Sequence, residues 1–357
     1  MNTSSHPLEK AAGWSWRLLT IFGLIAVIVF IIIQLKVIVI PFLVSLLVAA
    51  LLFPVVNKLR KKGVKNGLAV AISLLLLVTV VSGLVFVVVK QFTGAYPELS
   101  ARAQTSFEGL QGFLAAEPFN IAPNDLQKYF DDFVVTLQNS DFLTAGLVSS
   151  VGSTAGHVFA GVFLTIFAIL FLLLDGKNIW QWFVRLLPRS SRQKFDEAGV
   201  VGWKTLTSFV KSQIAVAGVD AIGIGLGALI LQVPLAIPIA VVVFLGSFIP
   251  VVGAVFTGAI AVIIALVFNG WFVAAIMLGV VLLVQLLEGH VLQPFLIGKA
   301  VKVHPLAIVF AVAVGSLLAG IPGALFAVPI VAVANVMASV LLRRPDATTA
   351  QMKTTKQ

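Results

Sequence analysis

The chain has 357 residues, 60% of them hydrophobic and only 11% charged, with a mean hydropathy of +1.09. A soluble domain carries roughly 45–50% apolar and about 25% charged residues, so composition excludes that class and points to an integral membrane protein. The net charge of +10 sits in short loops between apolar runs, as the positive-inside rule produces and a nucleic-acid surface does not, and the lack of cysteine excludes disulfides, thiolate nucleophiles and Cys-bound metals.

The N-terminal MNTSSHPLEKAAGWSWR has no small-residue cleavage site behind a short apolar core, so the first apolar run reads as a retained span. A bilayer crossing takes about 20 apolar residues. Residues 18–35 qualify, and after Lys36 so do residues 37–56, with Pro41 and Pro54 near the ends. The cluster Lys58, Arg60, Lys61, Lys62 and Lys65 follows and places this end in the cytoplasm. The first two spans then form a hairpin with the N-terminus inside.

Residues 67–89 make a third span, leading outward. Residues 91–150 differ in kind: Glu98, Glu108, Glu117, Asp125, Asp131, Asp132 and Asp141 stand against only Arg102 and Lys128. Leu126, Phe130, Phe133, Val134 and Leu137 recur at helical spacing, so this is an extracytoplasmic segment of two or three amphipathic helices. Residues 151–174 return inward. The basic stretch 175–211 reads as a cytoplasmic loop, and residues 212–231 go out again.

Residues 233–268 carry no charge and are too long for one straight span. They are interrupted at SFIPVVG, where Pro250 removes a backbone donor and Gly253 loosens the helix. Asn269-Gly270 turns into the apolar run 271–287. Residues 306–342 repeat the device around Gly320-Ile321-Pro322-Gly323, and a cytoplasmic, disordered tail closes the chain at 343–357. If Lys299 and Lys302 are cytoplasmic, the two broken hairpins enter from opposite faces, a recurring transporter arrangement. The expected architecture is all-α and polytopic: about six long transmembrane helices plus two Pro/Gly-broken hairpins. Its parts are residues 1–90, the outer segment 91–150, a core of 151–342 and the tail.

PVVGAVFTGAIAVIIALV and QLLEGHVLQPFLIGKAVKVHPLAIVFAVAVGSLLAGIPGALFAVPI, with FLLLDG and VKSQIAVAGVDAIGIGLG upstream, resemble the autoinducer-2 exporter-like permease family, the AI-2E transporters. The likeness is strong over 203–335 and looser before it; Ser212 stands where the family often has Gly. The resemblance implies an inner-membrane permease forming homo-oligomers, with a pentamer the expected count. It also implies either export of an autoinducer-2-like solute or sodium/proton exchange.

The polar groups are few. Asp220 stands alone in its span, where an acid costs about 2.5–3.5 kcal/mol on insertion scales and needs a partner, a cavity or a proton. It reads either as a coupling acid or as a structural hydrogen bond between helices. Gln213 lies seven residues earlier on about the same face. Gly223 and Gly227 permit close helix approach; GIGLG is no nucleotide fingerprint, since no strand precedes it. Gln285, Glu288 and Gln293 form either a polar pocket beside the Pro250 tip or, for Glu288, an ion pair with Lys299, Lys302 or an arginine. His290 and His304 read as interfacial. Pro250, Gly253, Pro294, Pro322 and Gly323 break helices, as gating elements or as plain turns. No metal site or cofactor is expected: four histidines with no HExxH argue against a zinc protease, and GxxxxGK[ST] is missing, so any driving force comes from ion gradients.

The leading reading is a secondary transporter that exports a small polar solute on a proton or sodium gradient. A sodium/proton antiporter, a passive channel and a scaffold are the alternatives. An intramembrane enzyme built on Ser153 and His157 lacks an oxyanion arrangement, so no enzyme is expected. The expected partners are lipid, the solute and H+ or Na+, with no nucleic acid, in the cytoplasmic membrane with both termini inside.

Overall fold

A computed structural model describes residues 7–115, 154–249, 252–292 and 305–342. Most of the acidic segment, Pro250, Gln293, Pro294, Lys299, Lys302, His304 and the C-terminal tail lie outside those residues. Helix α1 (Pro7–Gln34) is separated from α2 (Lys36–Lys61) by Leu35 alone. Pro41 and Pro54 are accommodated inside α2, Pro41 within its first two turns and buried. Its end is capped by Gly63 at φ +88°, and Lys58, Arg60 and Lys61 in the last turn complement the helix dipole.

Helix α3 (Asn66–Ala115) runs 50 residues without a stop. The expected end of the third span at residue 89 is therefore not a helix end. Hydropathy falls there, but KQFTGAYPELSARAQ keeps strong helix formers, and Pro97 is accommodated inside the helix. A Glu98–Arg102 ion pair (2.8 Å) and the Arg102 guanidinium 5.9 Å from the Phe268 ring centre stitch this continuation to itself and to the bundle.

The stretch 175–211, expected as a cytoplasmic loop, is largely helical. Helix α4 (Thr154–Arg185) continues to its last basic residue, and α5 (Arg189–Ile230) starts four residues later. Only 186–188 turn, with Pro188 leading into α5 where its missing N–H costs nothing. Arg192 closes the elbow by donating to the Leu187 and Arg185 carbonyls. The Trp180 indole donates to Asp196 (2.8 Å) and stacks on Phe195. Charge ended the apolar run without ending the helices.

The main core lies among α5, α6 (Ala236–Gly246), α7 (Val252–Asn269) and α8 (Trp271–Leu287), centred on Ile224, Ile239, Val243, Ile264 and Met277. The bases of these helices meet where Asn269 Nδ2 donates to the Gln232 carbonyl (3.3 Å). Six helices among the described residues are long and apolar enough to cross a membrane, with α6 and α7 shorter.

Helix α6 starts beside the C-terminal end of α5, since a Cβ on Gly225 would meet Ala240. It runs back along α5 to Ser247, and α7 returns. Helix α9 (Pro305–Leu341) packs on α5 from the other end: Gly202 faces Met337 and Val333, and Phe209 packs against the cluster Val312, Ala324 and Val328. The two broken pairs thus enter along α5 from opposite ends. They touch where Ile249 of the first packs on that α9 cluster. The α9 break falls at Ala319 (φ −139°) and Gly320 (φ +63°, ψ −144°), two residues before Pro322. Pro322 occupies the first turn of the second arm, where proline is favoured. Gly315 and Gly323 press backbone on backbone at the waist, leaving no room for a Cβ on either.

Candidate functional site

Helix α5 carries Gln213 and Asp220 two turns apart, and both side chains reach the same residue on α6. The Gln213 amide donates to the Ser247 carbonyl, and the Ser247 hydroxyl donates to Asp220 Oδ2 at 3.0 Å. Ser247 sits just past the last turn of α6, so α5 grips the first broken pair at its break. Asp220 is 1% exposed, Ser247 4% and Gln213 8%, so bulk water supplies none of these partners. Leaving a buried polar group unmatched costs about 1–3 kcal/mol, which is why each matched contact here counts.

The matching is incomplete. Asp220 Oδ1 has no hydrogen-bond partner among the described residues. The single Ser247 hydroxyl proton also faces two acceptors, Asp220 Oδ2 and the Val243 carbonyl at 2.8 Å. A proton carried on Asp220 would let Asp220 donate to Ser247 while Ser247 donates to Val243. A bound cation or solute donor could instead complete the carboxylate.

Helix α8 brings the other groups. Gly227 faces Val280 and Gly223 faces Val284, so the helices run antiparallel in close contact and the absent Cβ atoms set the approach. One turn further, this register sets Asp220 level with Leu287, between Gln285 and Glu288. Gln285 Nε2 is buried and has no partner among the described residues. Glu288 is half-buried, and its carboxylate interacts electrostatically with Asp220. An orphaned acceptor on α5 and an orphaned donor on α8 therefore lie at one level. There α8 widens into a π-helical turn, Glu288–Leu292, a feature frequent at functional sites.

Gln213, Asp220, Gln285 and Glu288 gather on the faces of α5 and α8 beside the α6 break. Gly253 belongs to the same place: a Cβ there would overlap the Gly246 carbonyl, so it lets α7 start against the end of α6. Pro322 and Gly323 lie on the other broken pair. Gln293, Pro294 and Pro250 fall outside the described residues. His290 is exposed, its ring nitrogen against the Leu286 carbonyl (3.1 Å). The described residues hold no cluster of three or more metal-ligating side chains.

Ser247 is the site residue that sequence reasoning passed over, treating it only as part of the break. A signal existed: Ser247 and Thr257 are the only hydroxyls in residues 233–268. Thr257 bonds locally to the Gly253 carbonyl (2.9 Å), whereas Ser247 reaches across to another helix.

Comparison with known proteins bears on the chain as a whole. Residues 20–343 match the family described as AI-2E family transporter. A protein of Mycobacterium tuberculosis (strain CDC 1551 / Oshkosh) is 37% identical over 343 residues, 96% of this chain and 93% of the relative. YrrI of Bacillus subtilis (strain 168) is 24% identical over 323 residues, 86% and 88%. A protein of Haemophilus influenzae (strain ATCC 51907 / DSM 11121 / KW20 / Rd) is 22% identical over 311 residues, 82% and 84%. All three bear provisional names as transport proteins.

Proposed function

This chain belongs to the AI-2E transporter family, a multi-pass membrane transporter, and from that premise we propose that it exports a small polar, autoinducer-2-like solute on a proton or sodium gradient. The observation that carries this reading is the buried Asp220 carboxylate, held by Ser247 at a helix break with one oxygen unmatched among the described residues. A group that binds a proton or cation at that oxygen changes what Ser247 must do, and Ser247 is attached to the break. Binding and helix position are thereby linked. The solute's hydroxyls would meet the free Gln285 amide donor at the same level.

A second reading, sodium/proton antiport with no organic cargo, is favoured by the electrostatic contact between Asp220 and Glu288. Two acids in reach of each other can exchange protons for one alkali cation. In either case the protein sits in the cytoplasmic membrane as a homo-oligomer with both termini inside, in keeping with the cluster Lys58–Lys65.

Purified protein in liposomes under imposed pH or sodium gradients tests both. Asp220→Asn and Glu288→Gln each reduce gradient-driven solute flux while the assembled protein is recovered normally. Sodium and pH gradients that dissipate each other with no solute present select the antiporter. Normal flux in both variants removes these carboxylates from the mechanism, and unitary currents in voltage-clamped bilayers replace the transporter with a channel.

A further inference from the structure

We propose that the groove between the α1–α2 turn and the second broken pair seats one acyl chain of an anionic phospholipid, with the Lys36 ammonium on its headgroup phosphate. The groove is half-open, holds about 300 Å³, and is walled by Val39 and Leu43 of α2 and by Val314, Leu318 and Phe326 of α9. Its lining is apolar except for Lys36, the first residue of α2. No carboxylate pairs with Lys36 among the described residues.

Apolar lining and charge together select the occupant. A wholly apolar wall closed off by one ammonium matches an amphiphile with a hydrocarbon tail and an anionic head, whereas an apolar partner helix would leave the ammonium without a counter-charge. A thin, flexible acyl chain lies along such a half-open groove. At the edge of the hydrocarbon layer an ammonium is stabilised by an anionic headgroup, each lysine near the surface contributing about 1 kcal/mol. The chain and the phosphate then satisfy the two halves of the site at once.

The seat also bears on the helix break. Gly315, Ala319 and Gly323 form part of the same wall. They are the waist and the non-helical corner of α9. A chain lying there packs against the waist on its open side and holds the two arms in register.

The test is photolabelling in liposomes of phosphatidylcholine containing a small fraction of a diazirine-acyl lipid, either phosphatidylglycerol or phosphatidylcholine. Crosslinks are mapped by mass spectrometry. The glycerol lipid should label Val314 and Leu43 about fivefold more than the choline lipid does, the ratio one lysine's contribution corresponds to. Lys36→Gln should equalise the two lipids, and Lys36→Arg should retain the preference. Val314→Trp fills the groove and should abolish labelling at Leu43 with either lipid. Labelling no stronger than at Leu75 and Phe86, exposed on α3, overturns the seat. Equal labelling by both lipids, untouched by Lys36→Gln, overturns the anionic assignment. Crosslinks at Val314 that join two copies of this chain, with no lipid adduct there, replace lipid by a neighbouring subunit.

Discussion

The two broken helical pairs come from the same sequence device, a long charge-free run interrupted by proline and glycine, yet they are held in different ways. The first is gripped by side chains: Gln213 and Asp220 of α5 both bond to Ser247 at the break. The second is held by backbone: Gly315 and Gly323 press together, Gly320 turns the corner at φ +63°, and the described residues place no polar clamp there. A polar clamp with an unmatched oxygen can respond to a proton, an ion or a solute. A glycine waist has no side chain to titrate and offers only backbone. The first pair is therefore the one held by titratable and exchangeable contacts, and its Ile249 packs on the second.

Substitutions can break that contrast. The largest effect is expected at the waist. Gly323→Val drives side-chain atoms into the Gly315 carbonyl, which neighbouring backbone cannot yield to, and should cost about 3 kcal/mol or more. Thermal unfolding in detergent and the yield of assembled protein would register it, and an unchanged melting point would show that the arms do not touch.

Ser247→Ala is next. It removes the described donor to Asp220 Oδ2 at about 1–3 kcal/mol, and should lower gradient-driven flux several-fold under conditions where the protein stays folded. Stability and flux falling in parallel would make the clamp purely structural. Gly320→Ala follows, at about 1–2 kcal/mol in the same unfolding assay, because its φ and ψ suit glycine while no atom lies within 4 Å of the added methyl. A cost near zero would mean the corner relaxes freely.

The smallest effect is at the α5–α8 contact. Gly223→Ala presses chiefly on one Val284 methyl, at 2.8 Å, so it should cost about 1 kcal/mol. Val284→Ala in the same chain should restore most of that, and a double-mutant cycle reads the coupling. No recovery would place the strain in backbone separation instead.

The rare residues are legible in the sequence. Asp220 and Gln213 stand out because acids and amides are costly in apolar helices, and the breaks stand out because proline removes a donor. Helix ends were less legible. Residues 90–115 and 175–211 change hydropathy while keeping helical propensity, so α3 and α5 run on past the expected boundaries. The partner of Asp220 was not legible either, since Ser247 lies 27 residues away and serine is common at helix ends.

By itself the sequence determined the solvent, the helical class and the scarcity of polar groups, because hydropathy and propensity are properties of short stretches. Tertiary structure alone decided which groups meet. Antiparallel packing through Gly223 and Gly227 sets Asp220 level with Gln285 and Glu288, and the return of α6 along α5 brings Ser247 to the carboxylate. Such contacts depend on how far helices approach and in what register, and residues distant in the chain fix both together.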